Sequence, residues 1–309
     1  MKLYFKVPPE ADGALLRSFL RRCSVSADLS RAVKFRGSGF FADGVPILAN
    51  RRVEAGQVIS FELPPEGEGV APQSGIPVNV VYEDAFALVL EKPPRLAVHP
   101  TLNYPLGTLA NGYAAWAAQR GNSPVFRPVN RIDKDTSGLL VVAKDDATHI
   151  GLSQQMAVHS VERAYQTVVY GGFAQDEGFV EANLGRSKTD RKKMAVYPAS
   201  EPHTKYAYTG YKVLERFGGF TLLECRLKTG RTHQIRVSMA EIGCPLLGDG
   251  KYGKGDVNRR YHETRQALYS YKLRFDFPTD AGLLNYLKGQ EFTVENVPFR
   301  EKYFPEIPS

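Results

Sequence analysis

The sequence predicts an α+β protein. Short runs rich in β-branched and aromatic residues, such as 78–82 and 86–90, flank turn formers like Glu83-Asp84, which is strand and hairpin chemistry. A continuous apolar run, Leu139-Leu140-Val141-Val142, opens at Gly138 and reads as a buried strand. Helical spacing of apolar residues occurs separately, in Leu109, Tyr113 and Trp116 and again in Ile235, Met239 and Ile242.

At 309 residues the chain has room for one large domain and one small one. An apolar fraction of 43% is that of a soluble globular protein. Forty Lys and Arg against 33 Asp and Glu leave +7 and a pI near 9.2, which suits a polyanionic partner but does not identify one. No apolar run approaches the roughly 20 residues of a membrane span. No apolar stretch of signal-peptide length follows Lys2 and Lys6. Cys23, Cys225 and Cys244 are far apart and odd in number, so neither a disulfide framework nor a metal site is expected. A reducing, cytoplasmic setting follows.

Residues 1–63 read as a small unit. Leu15, Leu16, Phe19 and Leu20 recur at helical spacing, with Arg17, Arg21 and Arg22 outside. Ser26 caps a second helix over 27–35, carrying Arg31 and Lys34. The turn Ala42-Asp43-Gly44-Val45 lies between Gly39-Phe40-Phe41 and Pro46-Ile47-Leu48, a hairpin signal, and 56–63 alternates as a closing strand. Gly37-Ser38-Gly39-Phe40-Phe41-Ala42 mimics a dinucleotide-binding glycine pattern. It follows a helix and leads into a hairpin, the reverse of what that mechanism needs. Residues 64–77 hold four prolines and three glycines and read as a linker. The second domain spans 78–309.

In that domain, Glu91-Lys92-Pro93-Pro94 is a stiff extended segment leading to His99-Pro100. A helix is expected over 107–119, and another from Asp145-Asp146 to about His159, where acidic residues suit the helix dipole. Residues 163–171 alternate as a strand, and 206–214 and 220–227 form a strand pair around Gly218-Gly219. Between them, 185–194 carries Arg186, Lys188, Arg191, Lys192 and Lys193 with no apolar periodicity and reads as an exposed basic loop. Thr232 is expected to cap the helix that Gly243 ends.

The segment most informative about chemistry is Asn130-Arg131-Ile132-Asp133-Lys134-Asp135-Thr136-Ser137-Gly138. Its turn formers place Asp133 on a loop entering the buried strand. By itself Asp133 reads as a turn carboxylate. But Arg131-Ile132-Asp133-x-x-Thr136-Ser137-Gly138 resembles the active-site signature of the RluA-type pseudouridine synthases. The lysine-proline-proline segment, Arg163-Ala164-Tyr165 and Lys228-Thr229-Gly230-Arg231-Thr232-His233-Gln234-Ile235-Arg236 resemble the same family, as does Gly248-Asp249-Gly250-Lys251-Tyr252-Gly253. The sequence departs from the family pattern at Asn130, Ser238 and Tyr269, where histidine is usual. The resemblance is strong over 78–275 and loose over 1–63. It implies a pseudouridine-synthase-like catalytic domain, with a mixed, largely antiparallel sheet flanked by helices and loops. It also implies that 1–63 is a small ribosomal-protein-type RNA-binding domain.

The resemblance further implies a cofactor-free and metal-free isomerisation of uridine to pseudouridine in RNA, large-subunit ribosomal RNA first and transfer RNA second, by a monomer. Asp133 would be the catalytic carboxylate, Tyr165 would face the uracil, and Arg236 would pair with Asp133. Burial favours the neutral form of a carboxyl, so a partner cation is needed to hold it charged. Asn130, Arg131, Thr136, Arg231, His233 and Gln234 are the expected substrate contacts, with Arg191 and Lys192 on phosphates. His99 is expected to shape the cleft. Two rivals stand beside this reading. A non-catalytic RNA-binding or ribosome-assembly protein has no use for Asp133, Tyr165 and Arg236 together. A glycoside hydrolase needs a second acid, and Asp135 and Asp249 both sit in turn-like contexts.

Overall fold

The computed structural model describes residues 1–102, 104–278 and 280–304. The first unit opens with β1 (Lys2–Lys6), followed by α1 (Leu16–Arg22), α2 (Ala27–Arg36), β2 (Phe40–Ala42), β3 (Val45–Ile47) and β4 (Val58–Glu62). Ser26 caps α2, its Oγ accepting from the Leu29 N–H at 3.0 Å. The strands lie in the order β1-β4-β2-β3. Strand β1 has no counterpart in the sequence reading. It pairs antiparallel with β4, with Leu3 and Phe5 turned inward and Lys2, Tyr4 and Lys6 exposed. Leu16, Phe19, Leu20, Val33, Ile59 and Phe61 form its core, which Ile150 of the larger unit joins.

Residues 64–77 contain no helix or strand, yet they are packed down. Glu66 binds Arg127 at 2.8 Å, Asn111 Nδ2 donates to the Ala71 carbonyl at 2.8 Å, and Gly107 N–H donates to Gln73 Oε1 at 2.9 Å.

The larger unit continues with β5 (Asn79–Glu83), β6 (Ala87–Lys92), α3 (Leu109–Ala118), β7 (Arg127–Pro128), β8 (Ser137–Ala143), α4 (Asp146–Ala157), β9 (Val161–Tyr170), β10 (Glu177–Arg186) and β11 (Met194–Tyr197). It ends with β12 (Lys205–Phe217), β13 (Phe220–Leu227), α5 (Gln234–Glu241), α6 (Gly255–Arg260), β14 (Leu268–Phe275), β15 (Glu291–Thr293) and α7 (Pro298–Tyr303). Asp145 caps α4, and Thr108 with Asn111 forms a capping box on α3. Eleven strands make one sheet, whose main path runs β11-β10-β12-β13-β9-β14-β8-β6-β5. All its pairs are antiparallel except β14 with β8. The sheet is thus mixed and largely antiparallel, and the class is α+β.

That one parallel contact positions the site. It sets Ser270 beside Gly138, at the exit of the Asp133 loop. A Cβ on Gly138 would lie 2.2 Å from the Ser270 carbonyl oxygen, and its φ of +110° is a region L side chains rarely adopt. Only glycine lets β14 close on the loop. The basic run forms an exposed turn between β10 and β11, two strands the sequence did not disclose. Among the described residues no helix is long and apolar enough to cross a membrane.

Candidate active site

Asp133 lies on the loop between β7 and β8, and backbone and side chains fix that loop from several sides. Thr136 N–H donates to the Asp133 carbonyl at 3.1 Å. Asn130 Oδ1 accepts from Val141 N–H at 2.8 Å, tying the loop's start to β8. Lys92, fully buried at the end of β6, donates to the Lys134 and Pro93 carbonyls at 2.9 and 2.8 Å. Burial pulls this ammonium down to about 7, although the carboxylates of Asp135 and Asp133 push the other way.

Opposite the loop stands Arg236 on α5, 5% exposed. Its Nη1 donates to Asp133 Oδ2 at 2.8 Å. Its Nε and Nη2 reach Asp249 Oδ2 and Oδ1 at 2.7 and 2.9 Å, a bidentate fork. Asp249 Oδ1 also accepts from the N–H groups of Lys251 and Tyr252 at 2.8 and 3.1 Å. Burial works against the charge on both groups. It is outweighed by their pairing, so the Asp249 carboxyl sits below its usual range and the Arg236 guanidinium above its own. Asp249, whose side chain is fully buried, is therefore a structural anion rather than a spare acid. Its turn-like context holds as well, since the same carboxylate caps the N–H groups two and three residues on.

Tyr165, on β9, completes the group. It is 5% exposed, and burial raises its phenol above the usual value. Asp133, Tyr165 and Arg236 line one cavity of about 900 Å³, together with Arg131, His99 and His233. The three residues expected to act together do converge on one pocket, large enough for a nucleotide.

A family model described as RNA pseudouridylate synthase matches residues 87–241. A Bacillus subtilis (strain 168) protein described as an uncharacterized RNA pseudouridine synthase is 42% identical over 240 residues, 76% of this chain and 77% of that protein. The ribosomal large subunit pseudouridine synthase D of Pseudomonas aeruginosa is 38% identical over 246 residues, 76% of this chain and 75% of its own. This chain belongs to the RluA-type RNA pseudouridine synthases. The structure of human RNA pseudouridylate synthase domain containing 1 shares the fold, with a TM-score of 0.57 at 24% identity, over 73% of this chain and 86% of that one.

The expected substrate contacts of this synthase fall into three groups. Arg131, Arg231 and His233 line the pocket, with Arg231 Nε donating to the Tyr206 carbonyl at 2.9 Å. Asn130, Thr136 and Gln234 also reach it; Thr136 and Gln234 bond internally, whereas Asn130 spends Oδ1 on Val141 N–H and holds a buried Nδ2 without a partner among the described residues. Gln234 Oε1 accepts from Thr229 Oγ1 and Arg231 N–H, and Nε2 donates to the Tyr208 carbonyl and Thr209 Oγ1. Gln234 braces the loop and has no bond left for substrate. Thr136 is 1% exposed and accepts from Gln266. Arg191 and Lys192 lie outside the pocket, on the exposed turn. That turn still reaches the site indirectly, because Lys251 Nζ donates to the Lys192 carbonyl and Met194 N–H donates to the Tyr252 hydroxyl.

Thr232 is not the helix cap. The cap position belongs to His233, at φ +56° and without a side-chain cap bond. The Gln234 side chain instead folds back to accept from the Arg231 N–H ahead of the helix, and among the described residues no side chain caps the first turn. His233 is consequently turned into the pocket, with Nε2 3.9 Å from Asp133 Oδ2. Its Nδ1 lies 2.8 Å from the Tyr252 hydroxyl. That hydroxyl accepts from Met194 N–H, and among the described residues its own proton has no other acceptor. If that proton goes to Nδ1, the neutral ring carries its hydrogen on Nε2, toward Asp133. Burial, only partly offset by Asp133, brings this imidazole down to about 4.

At the three departures from the family pattern, Asn130 ties β8, Ser238 lies fully buried beside Thr209 Oγ1, and the Tyr269 hydroxyl bonds Glu91. His99 packs edge-on against Phe126, with ring centroids 5.3 Å apart, at the cavity wall. Lys92 and Arg163 were not singled out from sequence, although both stand in the motifs quoted.

Proposed function

We propose that this synthase isomerises a specific uridine of structured RNA, in large-subunit ribosomal RNA, and that Asp133 is its catalytic carboxylate. One observation carries the reading: a guanidinium, Arg236, is held by a buried anion, Asp249, and presented to Asp133 in a pocket shared with Tyr165. The reaction breaks the uracil N1–C1′ bond, turns the base, and joins C5 to C1′. The proton lost from C5 is balanced by one gained at N1, so no redox group is called for. Asp133 supplies the negative charge at C1′. Tyr165 lies against the flipped base, a contact worth about 1–3 kcal/mol, against the few kcal/mol needed to extract a stacked base. Arg131, exposed at the loop's edge, fills the vacated place or holds a phosphate. The ribosomal target is suggested by the relatives named for the large subunit, and the basic helices of residues 1–63 supply an RNA-facing surface.

Mapping carbodiimide-labelled pseudouridines in RNA from cells with and without this protein tests the assignment. Loss of one or a few ribosomal sites is expected. An unchanged ribosomal map with a changed transfer RNA map moves the target, and no change anywhere ends the proposal.

A further inference from the structure

We propose that Arg163 forms a phosphodiester subsite on the inner wall of the active-site cavity, binding a backbone phosphate of the RNA beside the target nucleotide. This rests on the RNA reading of the site given above. Three arginines are buried among the described residues: Arg127 at 7%, Arg163 at 8% and Arg236 at 5% exposed. Arg127 is answered by Glu66 and Asp146, and Arg236 by Asp133 and Asp249. Arg163 has no carboxylate within salt-bridge distance among the described residues. Its Nε is buried without any hydrogen-bond partner.

A buried charge without a partner is costly, and folds rarely keep one. This one lines the cavity. It stands two residues before Tyr165 on the same strand, so both side chains point to one face. A Cβ on Gly230 would come within 2.8 Å of Arg163 Nη1, so that glycine leaves space for the guanidinium. Lys228 and Arg231 lie close by in the cavity wall and are also without salt bridges among the described residues. After burial itself, the charges of Arg163, Lys228 and Arg231 lower the His159 imidazole, which places the three cations together at this wall. Uracil is neutral and cannot balance three cations. A phosphate is an anion whose oxygens match the guanidinium fork. The missing counter-charge therefore arrives with the substrate's backbone.

The test uses a transcript of large-subunit ribosomal RNA carrying tritium at uridine C5, with the wild type, Arg163→Gln and Arg163→Lys. Tritium release gives kcat and KM, and filter binding of the same transcript gives affinity against salt. Arg163→Gln is expected to raise KM about tenfold or more, the value of a charge-assisted hydrogen bond, with a much smaller fall in kcat. Its plot of log affinity against log salt should be shallower by about 0.7, one phosphate contact, and Arg163→Lys should recover most of that slope. Its Tm should be unchanged or higher, because an unpaired buried charge is gone. A fall in kcat at unchanged KM would place the guanidinium on the base and overturn the proposal. So would a lowered Tm with an unchanged salt slope, which marks a structural arginine. If the wild type releases no tritium, the target reading has failed, and the salt slope of binding still decides about Arg163.

Discussion

Asp249 and Asp133 share a single guanidinium, and they share it unequally. Asp249 takes two nitrogens of Arg236 at 2.7 and 2.9 Å, leaving the third for Asp133 at 2.8 Å. Asp249 thereby fixes the plane and reach of the cation before substrate arrives. We expect Asp249→Asn to cost about 3 kcal/mol in denaturant unfolding, since it breaks a buried pair on one side, and to lower kcat more than it raises KM. Its pKa is depressed below the usual 3.8. The stability it adds is therefore present above that value and is lost as pH falls through the lower folded one. The acid limb of wild-type stability should be steeper than that of Asp249→Asn.

Lys92 has the opposite sign. The unfolded lysine keeps its proton to 10.5 and the folded one gives it up near 7. Between those values the unfolded chain binds more protons, so stability rises with pH. Unfolding curves at pH 7 and about pH 9 should show that rise, and Lys92→Met should abolish it. The variant also loses the bond to the Lys134 carbonyl that holds the Asp133 loop, so its kcat should fall as well.

His233 Nδ1 meets the Tyr252 hydroxyl at 2.8 Å, and a hydroxyl that donates there selects the Nε2–H tautomer. Nitrogen NMR near neutral pH should show His233 uncharged with its hydrogen on Nε2, and Tyr252→Phe should turn it into a mixture of tautomers. The folded pKa of about 4 lies below the ordinary 6.5. Lowering pH from 6.5 toward 4 should therefore erode stability, because only the unfolded chain takes up the proton there.

Gly138→Ala should destabilise by about 3 kcal/mol or more, through a forced φ and a backbone clash, given the 2.2 Å approach to Ser270. Circular dichroism melting checks this. A variant as stable as the wild type would mean β14 does not close on the loop as described.

The sequence exposed the parts of the site that sit inside contiguous motifs: Asp133, Tyr165 and Arg236. It did not expose what holds them. Asp249 lies in Gly248-Asp249-Gly250, which reads locally as a turn. Its burial depends on a guanidinium 13 residues earlier in the chain. Arg163 reads as one more basic residue until the acids around it are counted in space. Helices α2, α3 and α4 were legible because their caps are local. Strand β14 was not, because most of it is covered on both faces and shows little alternation. Gly178, Asn183 and Gly185 likewise dilute the pattern of β10.

The most direct measurement is tritium release from RNA carrying labelled uridine, comparing Asp133→Asn with the wild type. The variant should bind the RNA about as well and release nothing above background. Release at the wild-type rate would mean that the carboxylate at position 133 is not the group that acts at C1′.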